Sequence, residues 1–258
     1  MHIGLCLATI TIATVVSIVS YSPPKTATDS RPSIIAIRVD DTQDYAFKKA
    51  QLFLLQHSIE NKVPLSLGIT AKYFGSDREL VELVSCALRC GSEVAIHGWE
   101  HEDLAQFNVQ EQADRLHQAK TRLKETLDVD ATVLIPPMFG YNNDTLKAMH
   151  TAGLNIVSGL SEFHQKGLIT EGIVSIPATV ELSEYTNGTW KMKNPKTIYG
   201  ELNRSIETHG YAMILTHPQE FMKADDLNQD AVSTYSTIIS NIESTYTFTV
   251  IKELQDIV

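Results

Sequence analysis

The residues best suited to chemistry fall in three short segments. Arg38-Val39-Asp40-Asp41 places two carboxylates side by side, His97-Gly98-Trp99-Glu100-His101 sets two imidazoles four residues apart, and Leu215-Thr216-His217-Pro218 adds a third imidazole. Two imidazoles and a carboxylate are the donor set of an open divalent-metal site, with a position left for water or substrate. On one helical turn His97 and His101 would face the same way. Adjacent strand residues point to opposite sides, so Asp40 and Asp41 are expected to do different work: one to coordinate an ion, the other to take a proton. Each feature alone is ordinary. A polar residue at a strand end is usually a cap, and an isolated H-x-x-x-H is usually a pair of surface histidines.

Position is what binds them together. Apolar β-branched runs alternate with longer helix-like segments. Strands are expected at Ile34–Val39, Val63–Ile69, Glu93–His97, Thr132–Pro136, Asn155–Gly159, Ile173–Pro177, Tyr211–Thr216 and Thr247–Ile251. Helices are expected at Tyr45–Glu60, Asp77–Arg89, Val109–Leu127, Asn143–Thr151, Thr197–His209 and Ala231–Glu243. Gly91, Gly153 and Gly210 follow three of these helices, where a left-handed stop belongs. The alternation implies mostly parallel strands in a barrel or doubly wound sheet. It fails once, because no helix fits between Gly159 and Ile173. Asp40, Asp41, His97, Pro136, Ser158 and His217 all fall at C-terminal strand ends. In a parallel α/β barrel those ends share the face that carries the active site, so Asp40 and His217 can meet despite their separation.

Composition bounds the function. The 258 residues carry 21 Lys and Arg against 31 Asp and Glu, a net charge of −10. That argues against a general nucleic-acid binder, which needs a basic footprint. Of three cysteines, Cys86 and Cys90 lie one helical turn apart, which is no disulfide framework. Ile3–Tyr21 holds no charged residue. It suits either a cleaved signal peptide or a retained membrane anchor, with a buried N-terminal helix a third reading. Residues 22–32, with Pro23, Pro24 and Pro32, read as a linker, and residues 33–258 as the catalytic domain. On either of the first two readings that domain works outside the cytoplasm, secreted or anchored through residues 3–21. Asn-x-Ser/Thr triplets at Asn143, Asn187 and Asn203 mildly favour that compartment.

The three segments occur in the order seen in the polysaccharide deacetylases, and the chain resembles that NodB-like carbohydrate esterase family over about Ile34–Leu254. The resemblance implies a distorted, incomplete β/α barrel of about seven to eight mostly parallel strands. It implies a metal-dependent hydrolase that removes N-acetyl groups from an aminosugar polymer or oligosaccharide. It makes Asp41, His97 and His101 ligands of a divalent metal, zinc foremost, with Asp40 the general base and His217 the general acid. The backbone N–H of Phe139 would help to hold the oxyanion. Two departures mark a divergent branch. The family's third motif carries an Arg where this chain reads Leu134-Ile135-Pro136-Pro137-Met138-Phe139-Gly140. Its fourth carries an Asp and a Trp where this chain reads Val157-Ser158-Gly159-Leu160-Ser161-Glu162. Arg38 lies on Asp40's side of the first strand by period-two alternation. It is expected to supply the missing charge and so to act with Asp40 and His217 in catalysis; pairing with another barrel carboxylate is the alternative.

Trp99 either lines the cleft or packs beneath its loop, and Tyr141, Tyr185 and Trp190 are weaker cleft candidates. Glu181–Pro195 reads as a hairpin or long loop near the site. Three rival functions stand. The H-x-x-E-H reading of His97–His101 suits an inverted zinc peptidase, but Gly98 and the preceding strand oppose the long helix it needs. The other two are hydrolysis of a non-sugar amide on the same barrel and a non-catalytic surface glycan-binding domain.

Overall fold

The computed structural model describes residues 33–258 except 165 and 171, so the uncharged Ile3–Tyr21 stretch and the linker lie outside the described residues. Ten strands form one curled, open sheet: β1 (Ile34–Thr42), β2 (Ser66–Ile69), β3 (Glu93–Ile96), β4 (Val133–Leu134), β5 (Ile156–Val157), β6 (Gly167–Thr170), β7 (Ile173–Ser175), β8 (Val180–Glu181), β11 (Ala212–Thr216) and β14 (Thr247–Thr249). The path runs β6-β7-β5-β4-β3-β2-β1-β11-β8, with β14 pairing the start of β1. All pairings are parallel except β6 with β7. Between β8 and β11 lie a hairpin of β9 (Ser183–Thr186) and β10 (Thr189–Met192), and a small ribbon of β12 (Met222–Lys223) and β13 (Asp226–Leu227) follows β11. The helices are α1 (Lys48–Asn61), α2 (Arg78–Arg89), α3 (Val109–Leu127), α4 (Asn143–Ala152), α5 (Pro195–His209) and α6 (Gln229–Ile242).

The sheet is an incomplete barrel, and its strands bury both faces. Ile35, Ile37 and Val39 of β1 and Ala212 and Ile214 of β11 join the large core beneath the helices. The alternate residues, Ala36 of β1 and Met213 and Leu215 of β11, join a smaller core inside the curl, as the two-residue period of a strand requires. Ile251 and Leu254 close that inner core from below. They sit on a 3-10 helix, Ile251–Asp256, which begins at the residue where the expected last strand, Thr247–Ile251, was to end. Above Ala36 on the same inward row come Arg38 and Asp40, both buried. The inner row of β1 therefore runs from an apolar floor to a charged mouth.

The break in the strand–helix alternation lies where it was expected. Among the described residues Gly159–Ile173 contains no helix; β6 runs there instead as an antiparallel edge strand. β4 is two residues long, because Pro136 and Pro137, which have no N–H to donate, end the ladder. Among the described residues no helix is long and apolar enough to cross a membrane.

Candidate active site

The site begins with a defect in β1. Its pairing with β2 shifts register between Val39 and Thr42, and Asp41 takes a left-handed φ of 59°. A non-glycine residue there is strained, and such strain tends to mark functional positions. The two aspartates thus diverge through a bulge, not through simple pleat alternation as the sequence suggested. Asp40 stays on the inward row with Arg38, and Asp41 turns to the histidines.

Asp40 is gripped by Arg38. The guanidinium donates Nε–H to Oδ1 at 2.7 Å and Nη2–H to Oδ2 at 2.5 Å. Its Nη1 donates to the carbonyls of Ser158 and Gly159, both at 2.7 Å, and to Ser158 Oγ at 3.2 Å. A fully buried guanidinium is tolerable only with such partners. Burial pushes Asp40's carboxyl up, but the charge and hydrogen bonds of Arg38 outweigh it and hold the group below its ordinary range. Opposite, β2 presents Gly68; an added Cβ would lie 3.2 Å from Asp40 Oδ1, so the absence of a side chain there makes room for the carboxylate. The Phe139 ring covers Arg38, 5.7 Å from its Cζ.

Asp41, His97 and His101 converge. Asp41 Oδ1 lies 3.2 Å from His97 Nε2 and 3.0 Å from His101 Nε2, and the three offer ligand atoms within 4.8 Å of one another. His97 follows β3 directly. No helical turn joins the histidines, contrary to the sequence expectation. Left-handed residues Gly98 (φ 74°) and His101 (φ 65°) fold the loop back, and Glu102 accepts hydrogen bonds from the N–H groups of Trp99 and Glu100 inside it. His97 Nδ1 lies 2.9 Å from the carbonyl of Ile135. A carbonyl only accepts, so Nδ1 carries a proton and Nε2 is left to face the carboxylate. The donor set and its backbone-held imidazole therefore fit a divalent ion. Burial raises Asp41's carboxyl, yet the hydrogen bonds of His101 and His97 bring it far below the usual carboxylate range, and Asp41 in turn raises His101.

His217, just past β11, completes the mouth. Its Nδ1 lies 2.9 Å from Glu220 Oε1, which also accepts the His217 N–H at 3.0 Å; Thr216 Oγ1 donates to Glu220 Oε2 at 2.8 Å. Glu220 is buried. Burial presses His217 toward its neutral form, but the Glu220 carboxylate, helped by Asp40 and Asp41, more than offsets this and raises its pKa. Gln219 ties the same turn to Asp41, donating Nε2–H to Oδ2 at 3.1 Å. The Trp190 ring stacks on His217 at 5.7 Å between centroids and 29° between planes.

Glu220, Gln219 and the contact of Trp190 were not foreseen. A signal for Glu220 existed: a carboxylate three residues after a strand-end histidine, with Pro218 starting a turn between them. Other expectations change. Phe139 N–H donates to the Pro136 carbonyl at 3.1 Å, inside a turn where Met138 and Phe139 are both left-handed, so it is committed within the turn and not offered to an oxyanion. Trp99 packs on the outer core and borders a surface hollow with α3 residues His117 and Arg122. Glu100 pairs with Lys72 and Arg115 away from the histidines, which with the missing helix removes the peptidase geometry. Tyr141 stacks on His164 at 4.4 Å.

Residues 30–157 match the family model for polysaccharide deacetylases. That span takes in Asp40, Asp41, His97 and His101 and stops before His217. Comparison with curated proteins finds no match. Among solved structures, a Mycobacterium smegmatis protein assigned as a polysaccharide deacetylase is similar at 19% identity and a TM-score of 0.66, covering 92% of this chain and 93% of that one. A family 4 acetyl xylan esterase from Clostridium thermocellum, in complex with a cobalt ion, is similar at 11% identity and 0.59, covering 87% and 91%. A CE4-family pseudoenzyme from Bacillus anthracis is similar at 15% identity and 0.59, covering 87% and 66%. These likenesses carry the fold, and the family match takes in both aspartates and both histidines, so what the chain is similar to, in its site and in its fold, is the polysaccharide deacetylase family.

Proposed function

We propose that the protein hydrolyses N-acetyl groups on an aminosugar polymer or oligosaccharide outside the cytoplasm. One observation carries this reading: a carboxylate base and an imidazole acid, each with its own charged partner, stand beside the Asp41–His97–His101 cluster. In this reading those three residues hold the divalent ion, and two nitrogens and one oxygen suit zinc first. Such an ion supplies a Lewis acid that polarises the acetyl carbonyl and makes water easier to deprotonate.

The chain's own residues do the proton work. Asp40, kept ionised by Arg38, takes a proton from the attacking water as the new C–O bond forms. His217, with Nδ1–H held by Glu220, turns Nε2–H toward the departing nitrogen and protonates it as the C–N bond breaks. The products are acetate and a free amine. An amine leaves poorly unless protonated, and the buried Glu220 keeps His217 charged for that step. The extracytoplasmic setting rests on the uncharged residues 3–21, with mild support from the Asn-x-Ser/Thr triplets.

The test is acetate release from N-acetylchitooligosaccharides and from peptidoglycan by wild-type, Asp40→Asn and chelator-treated protein. Release by the wild type alone is the expected result, and release that persists in Asp40→Asn refutes the assigned base. A second reading, glycan binding without turnover, draws on the absent third-motif Arg and on the similarity to a described pseudoenzyme. It predicts glycan binding with no acetate release under any metal.

A further inference from the structure

Sequence and structure also leave an aromatic surface beside His217 that the proton chemistry does not use. β9 and β10 form a two-residue hairpin in which Tyr185 is paired directly with Trp190, and Ser183 with Met192. These four side chains share one face of the hairpin, while Glu184 and Lys191 point the other way. Met192 anchors that face on the core. Trp190 follows, stacked on His217, and Tyr185 comes last, 63% exposed with its ring 5.0 Å from Trp190. The turn is rigid. Asn187 (φ 52°) and Gly188 (φ 78°) are both left-handed, as a type I′ turn requires.

We propose that Tyr185 and Trp190 form a stacking platform for a sugar ring neighbouring the one that is deacetylated, so that the substrate is an oligosaccharide or polymer and not a monosaccharide or a small amide. This rests on the reading of His217 as the acid at the scissile nitrogen. An exposed aromatic face is electron-rich and attracts the weakly positive C–H face of a pyranose. Trp190 contacts both His217 and Tyr185, so the aromatic surface runs on from the acid to an exposed ring. Tyr185 is largely exposed among the described residues, so an acyl chain would remain largely in water there, whereas a sugar keeps its hydroxyls solvated while one face stacks.

The experiment compares N-acetylchitopentaose with N-acetylglucosamine as probes. In Tyr185→Ala the ratio of kcat/KM for the pentasaccharide over the monosaccharide falls about tenfold, through KM and not kcat, and Tyr185→Phe restores it. A ratio that does not change, or an equal loss of kcat on both probes, overturns the platform. Binding is measured separately, by calorimetry of the pentasaccharide on Asp40→Asn with and without Tyr185→Ala. Tyr185-dependent binding without acetate release by the wild type sinks the deacetylase reading and keeps the platform. Acetate release with Tyr185-independent binding sinks the platform alone.

Discussion

Replacing Arg38 by Met removes the guanidinium that grips Asp40 while keeping most of the buried volume. Left ionised without its partner, a buried carboxylate costs about 3–5 kcal/mol. The carboxyl can escape by taking a proton, because without Arg38 only the weaker pull of His97 and His217 opposes burial, and its pKa rises. The sign of the pH dependence follows. In the wild type Asp40 is held below its ordinary value, so its contribution to stability is present above the unfolded-state pKa and is lost only as pH falls through the folded-state pKa. In Arg38→Met the pKa rises from that depressed value, so ionisation contributes less to the fold as pH rises. The stability gap between the two proteins should therefore widen from acid to neutral pH. Catalysis should suffer more than metal binding. Loss of an ionised base lowers kcat roughly 10²–10⁴-fold, whereas Asp41, His97 and His101 make no hydrogen bond or ion pair with Arg38 among those seen. The assays are kcat against pH by acetate release, thermal unfolding at several pH values, and metal titration. The acid limb of kcat should move to higher pH. Adding Asp40→Asn to Arg38→Met should recover stability, since the unpaired charge is gone. A kcat within about twofold of wild type, with the acid limb in place, would refute the assignment of Arg38.

Three further outcomes can be measured. Glu220→Gln keeps an acceptor for Nδ1–H but removes the charge that raises His217, so the alkaline limb of kcat, where the acid loses its proton, should move to lower pH; an unmoved limb detaches Glu220 from the acid. Added zinc should raise the thermal midpoint of the wild type by binding the folded form, by up to about 4 kcal/mol at a thousandfold excess over Kd, and chelation should lower it. The same zinc-induced rise in His101→Ala would count against the cluster as the site. Glu93, buried at the start of β3, accepts from Ser66 Oγ at 2.7 Å and from Lys252 N–H at 3.3 Å. Burial raises its pKa despite these bonds, so its ionisation works against the fold as pH rises. Glu93→Gln keeps an acceptor for those donors, and thermal melts should show it gaining on the wild type from pH 4 to pH 8.

What could be read from the chain depended on how local its cause was. Val109–Leu127 is a helix over the expected span because Asn108 and Glu111 form a capping box and its apolar residues recur on one face. That Arg38 shares the inward side with Asp40 followed from the two-residue period alone. β6 was missed because Gly167–Thr170 is largely exposed and carries no alternating pattern. β8 was hidden because two residues, Val180 and Glu181, give no period to read. The left-handed turns at Asp41 and His101 were also beyond reach. Both residue types strongly prefer negative φ, and only the neighbouring strands and the Glu102-braced loop hold them otherwise. Helical spacing brought His97 and His101 together for the wrong reason: the convergence is real, and a folded-back loop produces it.

The two departures from the family pattern have a common physical answer. The third-motif arginine and fourth-motif carboxylate are remote in sequence from the groups they serve, so they depend on β4 and β5 being set accurately against β1 and β11. In this chain the partner of Asp40 is Arg38, two residues earlier on the same strand, and the partner of His217 is Glu220, three residues later in the same turn. Each pair is fixed by its own local backbone. β4 and β5 are each only two residues long. The Arg38 donors left over from Asp40 bond the carbonyls of Ser158 and Gly159, so the guanidinium now braces the end of β5 where the family draws a side chain from that region. The Arg38–Asp40 pair and the end of β5 are thereby held together by one guanidinium.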